Sequence, residues 1–181
     1  CAYDVELAWL SGMLHDVGRF EQIKRYNTFS DADSVDHAKF GADLLFKDGL
    51  ISTFLNGMVK CTGYKPGALE DRYGSDGVFL YDRLNKSDME MLELAIRCHN
   101  MYRIPQGLNR REQAFCNVLR DADKVDIFKV NIDTPLEEIY NTTTEELMKS
   151  DITDEVLEAF DEEHCILKAI RRTPADTVIG H

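Results

Sequence analysis

Met13-Leu14-His15-Asp16-Val17-Gly18-Arg19 is the stretch on which the reading of this chain turns. An apolar helical run leads into it, and Gly18 reads as the glycine that ends that helix, with Arg19 just beyond. Neighbouring residues on a helix point about 100° apart, so the imidazole of His15 and the carboxylate of Asp16 cannot share one stripe. At a helix end, both side chains can converge on a single point such as a metal ion. The stretch therefore predicts a helix that delivers two ligating groups where it stops.

Working outward, Val5, Ala8, Trp9, Gly12 and Met13 fall on one helical stripe of residues 2–15, and Leu7, Leu10 and Leu14 on a neighbouring one. So wide an apolar circumference predicts a central helix. It begins at Cys1 without a capping residue, which predicts that an upstream helix precedes it. Residues 19–34 are polar, with Asn27-Thr28 and Ser30-Asp31-Ala32-Asp33-Ser34, and read as a loop over the end of the first helix. Asp36 to Phe46 reads as a helix with His37, Gly41, Leu44 and Leu45 on one face. Gly49 breaks it, and Ile51 to Val59 follows as a short helix with Phe54, Leu55 and Met58 inside. Residues 62–82, with Gly63, Pro66, Gly67, Gly74 and Gly77, read as an extended connection containing one short helix.

Ser87-Asp88-Met89-Glu90 has the pattern of a capping box and opens a helix to about His99, whose apolar face runs through Leu92, Ala95 and His99. Pro105 and Gly107 predict a turn. Asn109-Arg110-Arg111-Glu112 is a second box, opening a helix with Phe115, Leu119, Ala122 and Asp126 on one stripe. Asp123 stands four residues after Leu119, at the edge of the buried face, where a carboxylate needs a cation or a hydrogen-bond donor. Thr134-Pro135-Leu136-Glu137 starts a further helix. Short acidic helices follow at Glu145 to Lys149 and from Asp154 to about Arg172, with enough apolar residues to dock on the core. The expectation is one all-α domain over residues 1–181.

Composition narrows the possibilities. The 181 residues are 44% apolar and 30% charged, with four prolines and a net charge of −12, a balance expected of a soluble globular chain. Such acidity repels a polynucleotide backbone, so no long nucleic acid is expected as a partner. No apolar run reaches the roughly 18 residues of a membrane span. Five cysteines without a CxxC pair suggest neither a disulfide framework nor a zinc ribbon, and read as reduced thiols of a cytoplasmic protein.

The polar residues on apolar faces or at helix ends are His15, Asp16, His37, His99 and Asp123. Three imidazoles and two carboxylates form a mixed nitrogen and oxygen donor set suited to one or two divalent ions, Mn, Fe, Ni or Zn, with Mg also admissible. Asp16 has two oxygens and can bridge two ions, which an imidazole cannot. Taken singly, each residue also has a structural explanation, as a helix-start polar group for His37 or a hydrogen-bonded core histidine for His99. Their joint occurrence favours a site.

In these residues the chain resembles the HD-domain metal-dependent phosphohydrolases. The resemblance lies in Leu14-His15-Asp16-Val17-Gly18-Arg19, in Asp36-His37-Ala38 with Gly41, in His99, and in Arg120-Asp121-Ala122-Asp123-Lys124, and covers about residues 2–128. It implies an HD-domain-like helical bundle around a buried metal site, with metal-activated water hydrolysing phosphoester or phosphoanhydride bonds of a small nucleotide-like substrate. His15, Asp16 and Asp123 would hold one ion, and Asp16 would bridge to a second held by His37 and His99. The family carries a further histidine on the helix before the paired motif, and none precedes His15 here. Asn100 stands where the subgroup that cleaves cyclic dinucleotides has another histidine, and that subgroup's Gly-Tyr-Pro signature is missing. Arg19, three residues after Asp16, occupies the place of a lysine near the scissile phosphate. It is therefore expected to act at the reacting phosphate beside Asp16, with Arg19, Asn100 and Lys124 as substrate contacts. Two alternatives remain: a non-catalytic metal- or nucleotide-binding helical sensor or interaction module, and a hydrogen-bonded cluster without ions.

Overall fold

A computed structural model of the chain describes residues 2–61, 84–140 and 142–180. The readings of residues 62–82 and of the Met58 side chain lie outside the described residues. All regular structure among the described residues is helical, as expected of an all-α chain. Two compact units divide it, Cys1–Arg120 and Asp121–His181. Among the described residues, no helix is long and apolar enough to cross a membrane.

The N-terminal unit is built from α1 (Ala2–Leu14), α2 (Val17–Tyr26), α3 (His37–Ala42) with a π-helical turn at Asp43–Lys47, α4 (Leu50–Cys61), α5 (Lys86–Cys98) and the first part of α6 (Arg110–Asp133). Leu7, Leu10 and Leu14 of α1 are buried with Leu45, Leu92, Ile96, Cys116 and Leu119 in one apolar core. Of the neighbouring stripe on α1, Ala8 packs against that core and the larger side chains do not. Val5, Trp9 and Met13 are 69%, 54% and 50% exposed, because Trp9 is two residues, or about 200°, from Leu7 and so faces the opposite side. One stripe suffices to seat a helix.

The polar segment after Arg19 also departs from expectation. Residues 17–26 form α2, and only the remainder to Ser34 is irregular. Gly18 does not end a helix; it lies in the first turn of α2, where that turn meets α3 backbone to backbone. A Cβ on Gly18 would come within 2.2 Å of the His37 carbonyl oxygen and 2.8 Å of the Gly41 nitrogen, and one on Gly41 within 2.9 Å of the Gly18 nitrogen. The absent side chains let the helices meet, and α2 ends instead at Asn27, whose φ of 53° is left-handed. Gly49, at φ +78°, ends the π-turn as expected of a glycine.

The start of α5 is capped one turn fraction earlier than the Ser87 box implies. Asn85 accepts from the Asp88 N–H at 3.0 Å, and the Asp88 carboxylate accepts from the Asn85 N–H at 3.3 Å. Asn85 and Asp88 satisfy the same box logic, and the polar run Asn85-Lys86-Ser87-Asp88 held two registers. Asp88 is 1% exposed and also accepts from the Tyr3 hydroxyl and from Arg111 Nη1, which joins α1, α5 and α6. The Asn109 box of α6 is present, with Glu112 N–H donating to Asn109 at 3.0 Å and Asn109 N–H to Glu112 at 2.9 Å.

In the C-terminal unit, α7 (Leu136–Tyr140), α8 (Thr144–Met148), α9 (Asp154–Asp161) and α10 (Pro174–Ile179) follow the end of α6. The Glu137 carboxylate, read as closing a box on Thr134, accepts from the backbone and hydroxyl of Thr144. The helix expected from Asp154 to about Arg172 stops at Asp161: Glu163 has a φ of 57°, and a 3₁₀ turn at Lys168–Ile170 follows. Asp176 is buried and accepts from the N–H groups of Thr153, Arg172 and Thr173. Burial opposes its ionisation, but these N–H groups and the Thr153 hydroxyl outweigh that and bring it to about 2.

Two outcomes follow from these contacts. Gly18→Ala should lower stability in urea denaturation by about 1–3 kcal/mol, the range for overpacking, whereas Gly12→Ala, whose Cβ meets nothing within 4 Å, should be neutral or stabilising by about 0.5–1 kcal/mol. Asp176 is depressed below its ordinary 3.8, so its contribution is complete above that value and declines as pH falls toward about 2. In melting curves from pH 6 to pH 2, Asp176→Asn should lower the melting temperature at pH 6 and flatten its acid dependence.

Candidate metal centre

His15 and Asp16 occupy the two-residue turn between α1 and α2. The last carbonyls of a helix have no partner within it, and His15 folds back on one: its Nδ1 lies 2.6 Å from the Gly12 oxygen. A carbonyl oxygen only accepts, so Nδ1 carries the hydrogen and, in the neutral ring, Nε2 is left as a lone pair. His99 repeats the device after α5, with Nδ1 2.7 Å from the Ile96 oxygen and 1% exposure. His37, the first residue of α3 and also buried, sets its Nδ1 2.7 and 2.9 Å from the two oxygens of Asp31. Three imidazoles are thus each tied at Nδ1 to an oxygen acceptor.

The Nε2 edges converge. His37 Nε2 and His99 Nε2 are 3.0 Å apart, and the rings of His15 and His37 lie edge-on to that of His99 at 4.9 and 5.0 Å. Asp16 Oδ1 is 3.4 Å from His37 Nε2 and 3.7 Å from His99 Nε2, while Oδ2 is 3.7 Å from His15 Nε2. Oδ1 is buried without a hydrogen-bond partner among the described residues. Two imidazole lone pairs at this separation repel unless a proton or a cation lies between them, and a buried carboxylate oxygen has the same need. Ligands bound tetrahedrally at 2.0–2.1 Å stand roughly 3.3 Å apart, which the spacing of Asp16, His37 and His99 matches. The donor set fits a divalent ion.

A belt of polar contacts surrounds the cluster. Arg19 Nη1 donates to the Phe29 oxygen at 2.6 Å and to Gln22 and Asp31 at 3.1 Å, and Arg19 Nε lies 3.8 Å from Asp16 Oδ1. Gln22, fully buried, donates through Nε2 to Asp31, Ser34 and the Val35 oxygen. Exposed Asn100 donates to Asp31 at 3.3 Å and to Asp36 at 3.0 Å. Burial works against the Asp31 charge, yet hydrogen bonds from His37 and Gln22 and the charge of Arg19 hold its carboxyl well below the usual range. Arg19, expected as a phosphate contact, therefore has one nitrogen committed within the chain, and so does Asn100.

The structure brings His15, Asp16, His37 and His99 together. Asp123 is half-buried on α6, three residues beyond Arg120, and belongs to the C-terminal unit, as does exposed Lys124. Sequence reading overlooked Asp31 and Gln22, both assigned to a polar loop. One signal was available for Gln22, which follows Gly18 by four residues and so shares its buried face. Comparisons with protein families, with curated proteins and with solved structures give no match.

Because Gln22 is buried and holds three acceptors, Gln22→Ala should cost about 1–3 kcal/mol in chemical denaturation, the range for stranding buried polar groups. Amide exchange in residues 27–36 should quicken more than in α5.

Proposed function

We propose that His15, Asp16, His37 and His99 hold one or two divalent metal ions, and that the chain is an HD-domain-like hydrolase of phosphoester or phosphoanhydride bonds in a small nucleotide-like substrate. The observation that carries the metal reading is the convergence of three Nε2 edges, each oriented by an Nδ1 anchor, on the Asp16 carboxylate, whose buried Oδ1 has no hydrogen-bond partner among the described residues. The order of these residues supports the phosphohydrolase reading through its resemblance to that family.

A divalent ion of this kind, when bound, lowers the pKa of a coordinated water toward neutrality and offsets the charge of a phosphoryl oxygen. The chain's own residues supply the frame. His15, His37 and His99 present neutral nitrogen edges in fixed orientation, so the site need not reorganise as charge develops. Asp16 supplies the anionic group and has a second oxygen for bridging. Arg19 sits between Asp16 and Asp31, where its guanidinium offsets their mutual repulsion, and this bracing role precedes any contact with substrate phosphate. Asn100 borders the cluster through Asp31 and Asp36.

A second reading has its own support in the 3.0 Å approach of His37 and His99: a proton shared between the two Nε2 atoms would satisfy both without an ion.

The test combines elemental analysis of the purified chain with phosphate release from a panel of nucleoside mono-, di- and triphosphates. Metal is expected in the wild type, with release from at least one substrate. Asp16→Ala and His99→Ala should lose both, with turnover reduced at least 100-fold, on the order expected when a metal ligand and its activated water are removed. Metal without release from any substrate would leave a binding module, and a folded wild type that takes up no divalent ion would leave the shared proton.

A further inference from the structure

Asp31 stands outside the proposed donor set, yet it gathers the polar belt onto the cluster, beside the direct approach of Arg19 to Asp16. Its carboxylate receives Arg19, Gln22, Asn100 and His37. Of the three imidazoles, His15 and His99 are anchored by main-chain carbonyls of their own helices. His37 stands at the start of its helix, where the free main-chain groups are N–H donors and no carbonyl is available to receive a ring hydrogen. Only a side chain from elsewhere can do so. The segment after α2 brings Asp31 to that place, and Gln22 and Arg19 fix the carboxylate from behind.

We propose that Asp31 is the positioning residue of the cluster: by accepting the Nδ1 hydrogen of His37, it keeps the Nε2 lone pair turned toward Asp16 and His99. Without an acceptor at Nδ1, the proton is free to move to Nε2, where it blocks that lone pair. The ring is also released to rotate about its side-chain bonds. This inference rests on the metal reading only for its consequence in metal affinity; its statement about the His37 tautomer holds for the metal-free chain as well.

Long-range proton–nitrogen NMR of the metal-free full chain at pH 8.5 reads the tautomers directly. In the wild type, all three rings should carry a hydrogen on Nδ1, with or without a further proton shared between the Nε2 atoms of His37 and His99. In Asp31→Ala, His37 should shift to Nε2, while His15 and His99 keep theirs and serve as internal references. Asp31→Asn retains an oxygen acceptor and should retain the wild-type tautomer. It also serves if the alanine variant does not fold. Zinc titration should show an affinity about 10–100-fold weaker in Asp31→Ala, the usual effect of losing a group that orients a ligating histidine. A wild-type His37 with no hydrogen on Nδ1 overturns the proposal, as does an alanine variant in which His37 keeps its hydrogen on Nδ1 alone, or an asparagine variant in which it moves. If the tautomers behave as stated but no chain binds zinc, the positioning role stands and the metal reading fails.

Discussion

The contact on which the N-terminal unit depends is the meeting of Gly18 and Gly41. With no Cβ on either residue, the first turn of α2 lies directly against the backbone of α3, and the His37 carbonyl occupies the space a side chain would fill. Three features of the cluster follow. The turn bearing His15 and Asp16 is held beside the first residue of α3. The buried face of α2 then presents Gln22 to the segment leading into α3. Finally, α3 packs on α5, which ends at His99. A side chain at the crossing would separate the helices and move His37 away from Asp16 and His99 together.

Around that contact, polar groups are satisfied by the ends of helices as well as by one another. His15 and His99 use carbonyls that α1 and α5 leave without partners, Asp36 caps α3 by accepting from the Lys39 N–H, and Asp88 serves its own helix start while receiving Tyr3 and Arg111. The apolar core of Leu7, Leu10, Leu14, Leu92 and Ile96 fixes where the helix ends lie. Their unpaired groups then dictate how the side chains there must turn. Core burial and site geometry are consecutive steps of one folding problem.

Much of this was legible in the sequence because it depends on local chemistry. A histidine just after an amphipathic run, as at His15 and His99, announces a side chain at a helix end, and the Asn109 and Glu112 pair announces a helix start. Other features depend on what lies across the fold. Gly18 is equally a helix stop and a close-contact residue until α3 is known to sit against it, and the mistaken stop concealed α2. Gln22 and Asp31 look like loop residues because their burial comes from one another and from His37. The Trp9 stripe is as apolar as the leucine stripe, and only the position of the core distinguishes them. Asn85 and Ser87 offer competing caps, and the burial of Asp88 decides between them.

The anchored imidazoles also have a consequence for entropy. A histidine free to rotate must be immobilised when it takes a ligand, and that loss weakens the binding it serves. Here the loss falls on folding, because each ring is held through Nδ1 by a carbonyl or a carboxylate. The cluster therefore meets any guest with side chains already ordered, and what such a guest gains by binding is offset very little by ordering the chain.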